Sequence, residues 1–165
     1  MKVLPGLQRL IVVVQRPGSD EGYAAYKKLL HDMAAPMQRR FPNKLQLYST
    51  KPERNIYVHT KLVLIDDVYL SIGSANWNDC SMLSDSELNA NVVDQELFTS
   101  ADGVRVTELA LDYRIRKFVE LTGQSYERLR GMTLLQAADQ LDAATKDSTS
   151  ILDNLEPEER NYTPL

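Results

Sequence analysis

One cysteine, Cys80, stands in 165 residues, which excludes an intrachain disulfide and any zinc or iron–sulfur centre built on several thiolates. Stability has to come from packing. Histidine is nearly as scarce, with only His31 and His59. No run reaches the ~20 apolar residues of a membrane-spanning helix, and the N-terminal apolar stretch Leu10 to Val14 is too short for the core of a secretion signal. The sequence as written therefore reads as soluble and cytoplasmic, at most peripheral to a membrane. An excess of positive charge is missing too. Nineteen Lys and Arg meet 23 Asp and Glu, and Asp142 to Leu165 alone carries six acids against two bases, leaving 17 of each sign upstream. A neutral body lacks the broad positive field of a non-specific nucleic-acid binder, while leaving room for a local basic groove. What is present is ordinary: 43% hydrophobic and 25% charged residues suit one globular domain with a sizeable core.

The chain alternates strand and helix signals. Leu10 to Val14 is a β-branched run ended by Pro17-Gly18, and reads as a strand buried on both faces. Tyr23, Tyr26, Leu30, Met33 and Met37 then recur at helical spacing, with Ser19 or Asp20 as cap and Pro36 as the expected kink or end. This stripe is read as core, and His31 on the same helix as structural. Lys44 to Ser49 alternates as a second strand, with Leu45 and Leu47 on one face. Ile56 to Ile65 and Val68 to Ser74 predict a hairpin turned at Asp66-Asp67, and Glu87 to Val93 a further strand. Leu111, Ile115 and Phe118 form the stripe of a helix stopped by Gly123, and Thr133 with Gln136 has capping-box spacing for a last one. The sum is an α/β arrangement, one mixed sheet flanked by helices over residues 1–145. From Lys146 to Leu165 the sequence is acidic with few apolar residues, and reads as a mobile tail.

The chemistry concentrates in the hairpin. His59 and Lys61 are followed after four residues by Asp66, and after six more by Gly73, Ser74 and Asn76. In a strand, positions i and i+2 share a face, so His59 and Lys61 point the same way, and a turn at Asp66-Asp67 returns Ser74 and Asn76 beside them. An imidazole, an ammonium, a hydroxyl and an amide then converge. Such a set suits transfer at phosphorus: Lys61 and Asn76 offset charge on the non-bridging oxygens while His59 attacks or moves a proton. Asp66 lies at the far end with opposite parity, which suits a polar-network role better than chemistry.

This pattern, His-x-Lys-(x)4-Asp-(x)6-Gly-Ser-x-Asn, resembles the signature of the phospholipase D superfamily. With six fixed identities, a chance match in a chain of this length is on the order of one in a million. Glu87, eleven residues after Asn76, resembles the acid that this superfamily sets against the histidine ring to orient it. The helix Arg114 to Gly123 looks like the Arg-x-Arg-x-Trp-x-Glu-His-x-Gly segment in the C-terminal half of phosphatidylcholine-type enzymes, with Phe118 and Leu121 replacing Trp and His. Ser81-Met82 and Asp85 to Leu88 look similar as well, whereas Cys80 stands where those enzymes commonly carry Arg.

The resemblance implies a phosphodiesterase that needs neither metal nor cofactor, hydrolysing a phospholipid at a membrane surface to phosphatidic acid and headgroup through a phosphohistidine. It implies catalytic roles for His59, Lys61, Asn76 and Glu87, with Asp66, Gly73 and Ser74 in support. It also implies two motifs per site, one histidine attacking phosphorus and the other protonating the leaving group. This chain has one, so the second comes from a homodimer mate or from a missing N-terminal half. The rivals are an endonuclease of the same superfamily, although nucleic acid suits the neutral body less well, and a non-catalytic half. An Asp66-Asp67-His59 metal site is disfavoured because the hairpin separates the groups. Trp77 either lines an entrance or simply packs.

Overall fold

The structure, a computed structural model, describes residues 4–18 and 24–156, arranged as two compact units. One unit holds the chain up to Val58 together with the chain from Ile151, and the other runs from His59 to Ser150. Both are built of strands and helices, so the molecule is α/β, with a mixed sheet in the first unit and antiparallel sheets in the second.

In the first unit, β1 (Leu10–Val13), α1 (Ala24–Arg40) and β2 (Leu45–Thr50) follow the expected order, with β1 parallel to β2. β1 is half-buried along its whole length, not enclosed on both faces, because it is an edge strand and β2 takes the centre. Leu30, Ala34 and Met37 of α1 pack with Leu10, Val12, Leu45 and Leu47 into one core. Met33 instead is exposed, since positions i, i+4 and i+7 counted from Leu30 pass through Ala34. The helix runs through Pro36 to Arg40 without ending. An interior proline removes one ladder hydrogen bond and costs ~3 kcal/mol in an isolated helix, and the buried stripe on both sides of Pro36 offsets that. Tyr23, Ser19 and Asp20 lie outside the described residues.

The segment read as a mobile tail differs most. Residues Leu152–Asn154 form β8, antiparallel to β2, with Leu152 fully buried and Leu155 in the core cluster. Two leucines at the right positions, and a free edge on β2, outweigh the local acidity. Asp153 itself is used, in an ion pair with Arg16 at 2.6 Å. Residues 157–165 of that segment lie outside the described residues.

In the second unit, β3 (Leu62–Ile65) and β4 (Tyr69–Gly73) form the expected hairpin, extended by β5 (Asn89–Val92) to the antiparallel order β3-β4-β5. Asp66 and Asp67 turn it with φ of 53° and 54°, the mirror-image turn that suits twisted hairpins and that Asp tolerates. A second hairpin, β6 (Leu97–Thr99) and β7 (Arg105–Thr107), leads into α2 (Glu108–Thr122). Leu111, Ile115 and Phe118 are buried as their spacing predicts, and Gly123 ends α2 at φ 73° with its N–H on the Val119 carbonyl. After the short α3 (Tyr126–Arg130), α4 (Leu134–Thr145) starts with the Thr133–Gln136 capping box, both bonds made. Helices α3 and α4 pack against α2.

The hairpin turn is held from α2. Arg114 donates to both carboxylate oxygens of Asp67 at 2.8 to 3.0 Å, each side chain 4% exposed, and its guanidinium lies over the Phe118 ring. Thr107 adds two bonds to the Asp67 carbonyl and one to that of Val68.

Candidate functional site

The predicted strand from Ile56 forms only from Leu62. Residues 56–61 are irregular because β4 offers no partner beyond Gly73, whose N–H donates to the Lys61 carbonyl at 3.1 Å and ends that side of the ladder. His59 and Lys61 thus stand just outside the sheet, on a stretch not held by strand pairing. His59 is exposed, and the Lys61 ammonium donates to the His59 carbonyl at 3.0 Å.

The return strand delivers the other residues. Gly73 pairs with Asn89 across β4 and β5, and a Cβ there would lie 2.4 Å from the Leu88 carbonyl oxygen and 1.8 Å from Asn89 Oδ1. Glycine is required at this place by close approach, not by an unusual φ. Ser74 then switches ladders, its N–H donating to the Leu88 carbonyl at 3.0 Å. Its hydroxyl accepts from Leu88 N–H at 3.0 Å and donates to Glu87 Oε2 in a short hydrogen bond.

Glu87 is the point on which the cluster closes. The Ser74 hydroxyl first, then the Ser81 hydroxyl, hold its carboxyl below the usual glutamate range, and the Lys61 ammonium adds to that. Asn76 Nδ2 donates to Ser81 Oγ at 3.4 Å. Of the residues singled out by spacing, Ser74 and Glu87 are joined directly and Asn76 reaches Ser81, while Lys61 bears on Glu87 through its charge. Asp66 stands exposed in the turn at the hairpin's other end. The hydrogen bond seen for Glu87 is that from the Ser74 hydroxyl, and its ring-orienting role toward His59 belongs to the proposal below.

Ser81, to which spacing assigns no role, is the buried neighbour that Asn76 reaches, and Asp67 rather than Asp66 is the turn residue held by Arg114. The signal for Ser81 was available in the chemistry, since a hydroxyl five residues after an amide ligand can bond it across one helical turn. Among the described residues, no three His, Cys, Asp or Glu side chains converge as metal ligands. No helix among them is long and apolar enough to cross a membrane.

Comparison with known proteins agrees with the motif. A family model described as "Cardiolipin synthase, PLD-like domain" matches residues 12–103, more than half of the chain. Two curated relatives, each named Cardiolipin synthase 1, come from Staphylococcus aureus strains COL and MRSA252. Each is 39% identical over 72 residues, which is 44% of this chain and 13% of the relative. The matched stretch thus spans a small part of those relatives. Both matches point to the cardiolipin synthase type, and neither repeats the finer likeness to phosphatidylcholine-type enzymes.

Proposed function

The chain belongs to the PLD-like domain family of the cardiolipin synthase type, and from that premise we propose that it cleaves phospholipid phosphodiesters through His59. The observation that carries this reading is the Ser74–Glu87 hydrogen bond, with Asn76 on the neighbouring Ser81 and the Lys61 charge acting on Glu87, at the end of the hairpin whose leading stretch bears the exposed His59.

The chemistry follows from the groups. A ring nitrogen of His59 attacks phosphorus, the P–O bond to the leaving alcohol breaks, and a phosphohistidine forms. Lys61 and Asn76 supply the charge and hydrogen bonds that the non-bridging oxygens need as negative charge spreads over them. Glu87 accepts from the other ring N–H of His59, which orients the ring and offsets the positive charge it takes on as the N–P bond forms, and Gly73 and Ser74 fix the cluster that surrounds it. The departing oxygen takes a proton from the histidine of a second motif, and that histidine then takes the proton of an incoming oxygen nucleophile as the nucleophile displaces His59 and breaks the P–N bond. Water as that nucleophile yields phosphatidic acid and free headgroup. An alcohol yields a new phosphodiester, and the name of the relatives, cardiolipin synthase, supports this transferase outcome.

Two copies of the chain bringing their His59 side chains together complete the site. A second reading, in which this is one half of a longer two-motif enzyme, is favoured by the 13% share of the relatives that the match covers. His59→Ala is expected to abolish turnover of phospholipid vesicles while leaving the circular dichroism spectrum unchanged. Retained turnover would remove the assignment. Activity on polynucleotide that falls steeply with salt, with none on vesicles, would favour the nuclease reading instead.

A further inference from the structure

Three element ends meet at one end of the first unit. β1 and β2 are parallel, so α1 between them runs back, and both strands start beside its last turn. α1 finishes at Arg39 and Arg40, the following turn closes with Lys44 N–H on the Phe41 carbonyl at 3.0 Å, and the Lys44 carbonyl accepts from Leu10 N–H at 2.7 Å. Basic side chains gather there. Arg9 donates to the Asn43 carbonyl at 3.0 Å and Lys44 to that of Pro5 at 2.7 Å, while Arg39 and Arg40 stand exposed with no carboxylate partner among the described residues. The half-buried Phe41 ring is flanked by the Arg40 guanidinium at 5.6 Å and the Lys44 ammonium at 5.9 Å. Residues 4–10 and 38–45 hold no acid. Asp32, earlier on α1, is taken by Lys28, and the register of β8 on β2 carries Glu156 toward this end as a single acid against four bases. A base in the last turn of a helix answers the helix dipole, but that gives no reason for Arg9 and Lys44, which precede strands.

We propose that this end of the first unit docks on the anionic surface of a phospholipid bilayer, with Arg9, Arg39, Arg40 and Lys44 on headgroup phosphates and Phe41 at headgroup depth between two of them. Aromatic rings and basic side chains favour that depth for the same reason, an apolar body beside a wet, charged layer. The choice of a bilayer among polyanions rests on the reading of the substrate as a phospholipid. The charge distribution supports it. A flat anionic surface needs one basic end, whereas a non-specific polynucleotide binder relies on a broad positive field, which a chain of net charge -4 lacks.

Cosedimentation with vesicles tests this, using phosphatidylcholine alone and phosphatidylcholine with about a third phosphatidylglycerol. Arg39→Gln/Arg40→Gln removes two exposed charges from the basic end, and Arg105→Gln/Arg128→Gln removes two exposed charges from the second unit. The wild-type chain should bind the anionic vesicles and release them as salt rises. Arg39→Gln/Arg40→Gln should bind them about thirtyfold more weakly, a factor of about five for each base near the surface, and the second-unit variant should bind like the wild type. Turnover of a water-soluble phosphodiester, which needs no bilayer, should be equal in all three. A wild-type chain that ignores anionic lipid, or that takes up polynucleotide in place of vesicles, overturns the inference, as does an undiminished Arg39→Gln/Arg40→Gln chain or an equal loss in both variants. Soluble turnover that persists in those cases leaves the catalytic reading standing, whereas vesicle binding through Arg39 and Arg40 in a chain without turnover removes the catalytic reading and supports this surface.

Discussion

Glu87 has its carboxyl held low by the groups around it. Hydrogen bonds from Ser74 and then Ser81, with the nearby Lys61, depress its folded-state pKa below the unfolded value. The stability this carboxylate contributes is therefore present above the ordinary glutamate range and is lost as pH falls through the lower, folded value. If Glu87 acts as proposed, the acid limb of activity should accordingly lie below the usual glutamate range. Ser74→Ala should move that limb, and the carboxyl midpoint followed by carbon-detected NMR, upward; an unmoved midpoint would mean that Ser74 does not govern Glu87. The motif residues were legible because their spacing is local: His59, Lys61, Ser74 and Asn76 sit on one hairpin and its ends. Ser81 and Asp67 were not, because what defines them is burial. Asp66 and Asp67 are identical in sequence terms, and only Arg114, 47 residues further on, decides which of the two is the buried partner.

Elements formed where a partner was available to pair or pack. Residues 56–61 have the composition of a strand yet stay irregular, since β4 has no ladder left for them, whereas the acidic stretch near Leu152 becomes β8 because β2 has a free edge. Periodicity cannot report either fact. It did place α2 and α4, whose stripes, caps and stops are local. The hairpin itself should be sensitive at two points. Gly73→Ala puts a methyl group 2.4 Å from the backbone oxygen of Leu88, which cannot swing aside, so β5 must shift at an expected cost of about 1–3 kcal/mol. Amide exchange should show this as lost protection in β4 and β5, and unchanged protection would contradict the close approach. Arg114→Ala leaves the Asp67 carboxylate buried without its partner, and chemical denaturation should report a loss of about 3–5 kcal/mol. A loss below about 1 kcal/mol would show the pair to be solvated like a surface ion pair.

For the whole molecule, the decisive feature is that one motif stands where the proposed transfer through a phosphohistidine uses two histidines. The chain belongs to the family, and the family match runs over residues 12–103, ending before α2 begins at Glu108. Its α/β class was legible from the alternation of strand and helix signals, but its division at Val58 and Ile151 was not, because the return of the chain to β2 is a long-range event. The most direct measurement is the specific activity of the purified chain on an activated phosphodiester, in chelator, over a wide range of protein concentration, with His59→Asn as the blank. The account predicts turnover that depends on His59 and rises per mole of chain with concentration, as two copies assemble one site. A His59→Asn chain as active as the wild type, or a folded wild-type chain inert throughout the range, would contradict it.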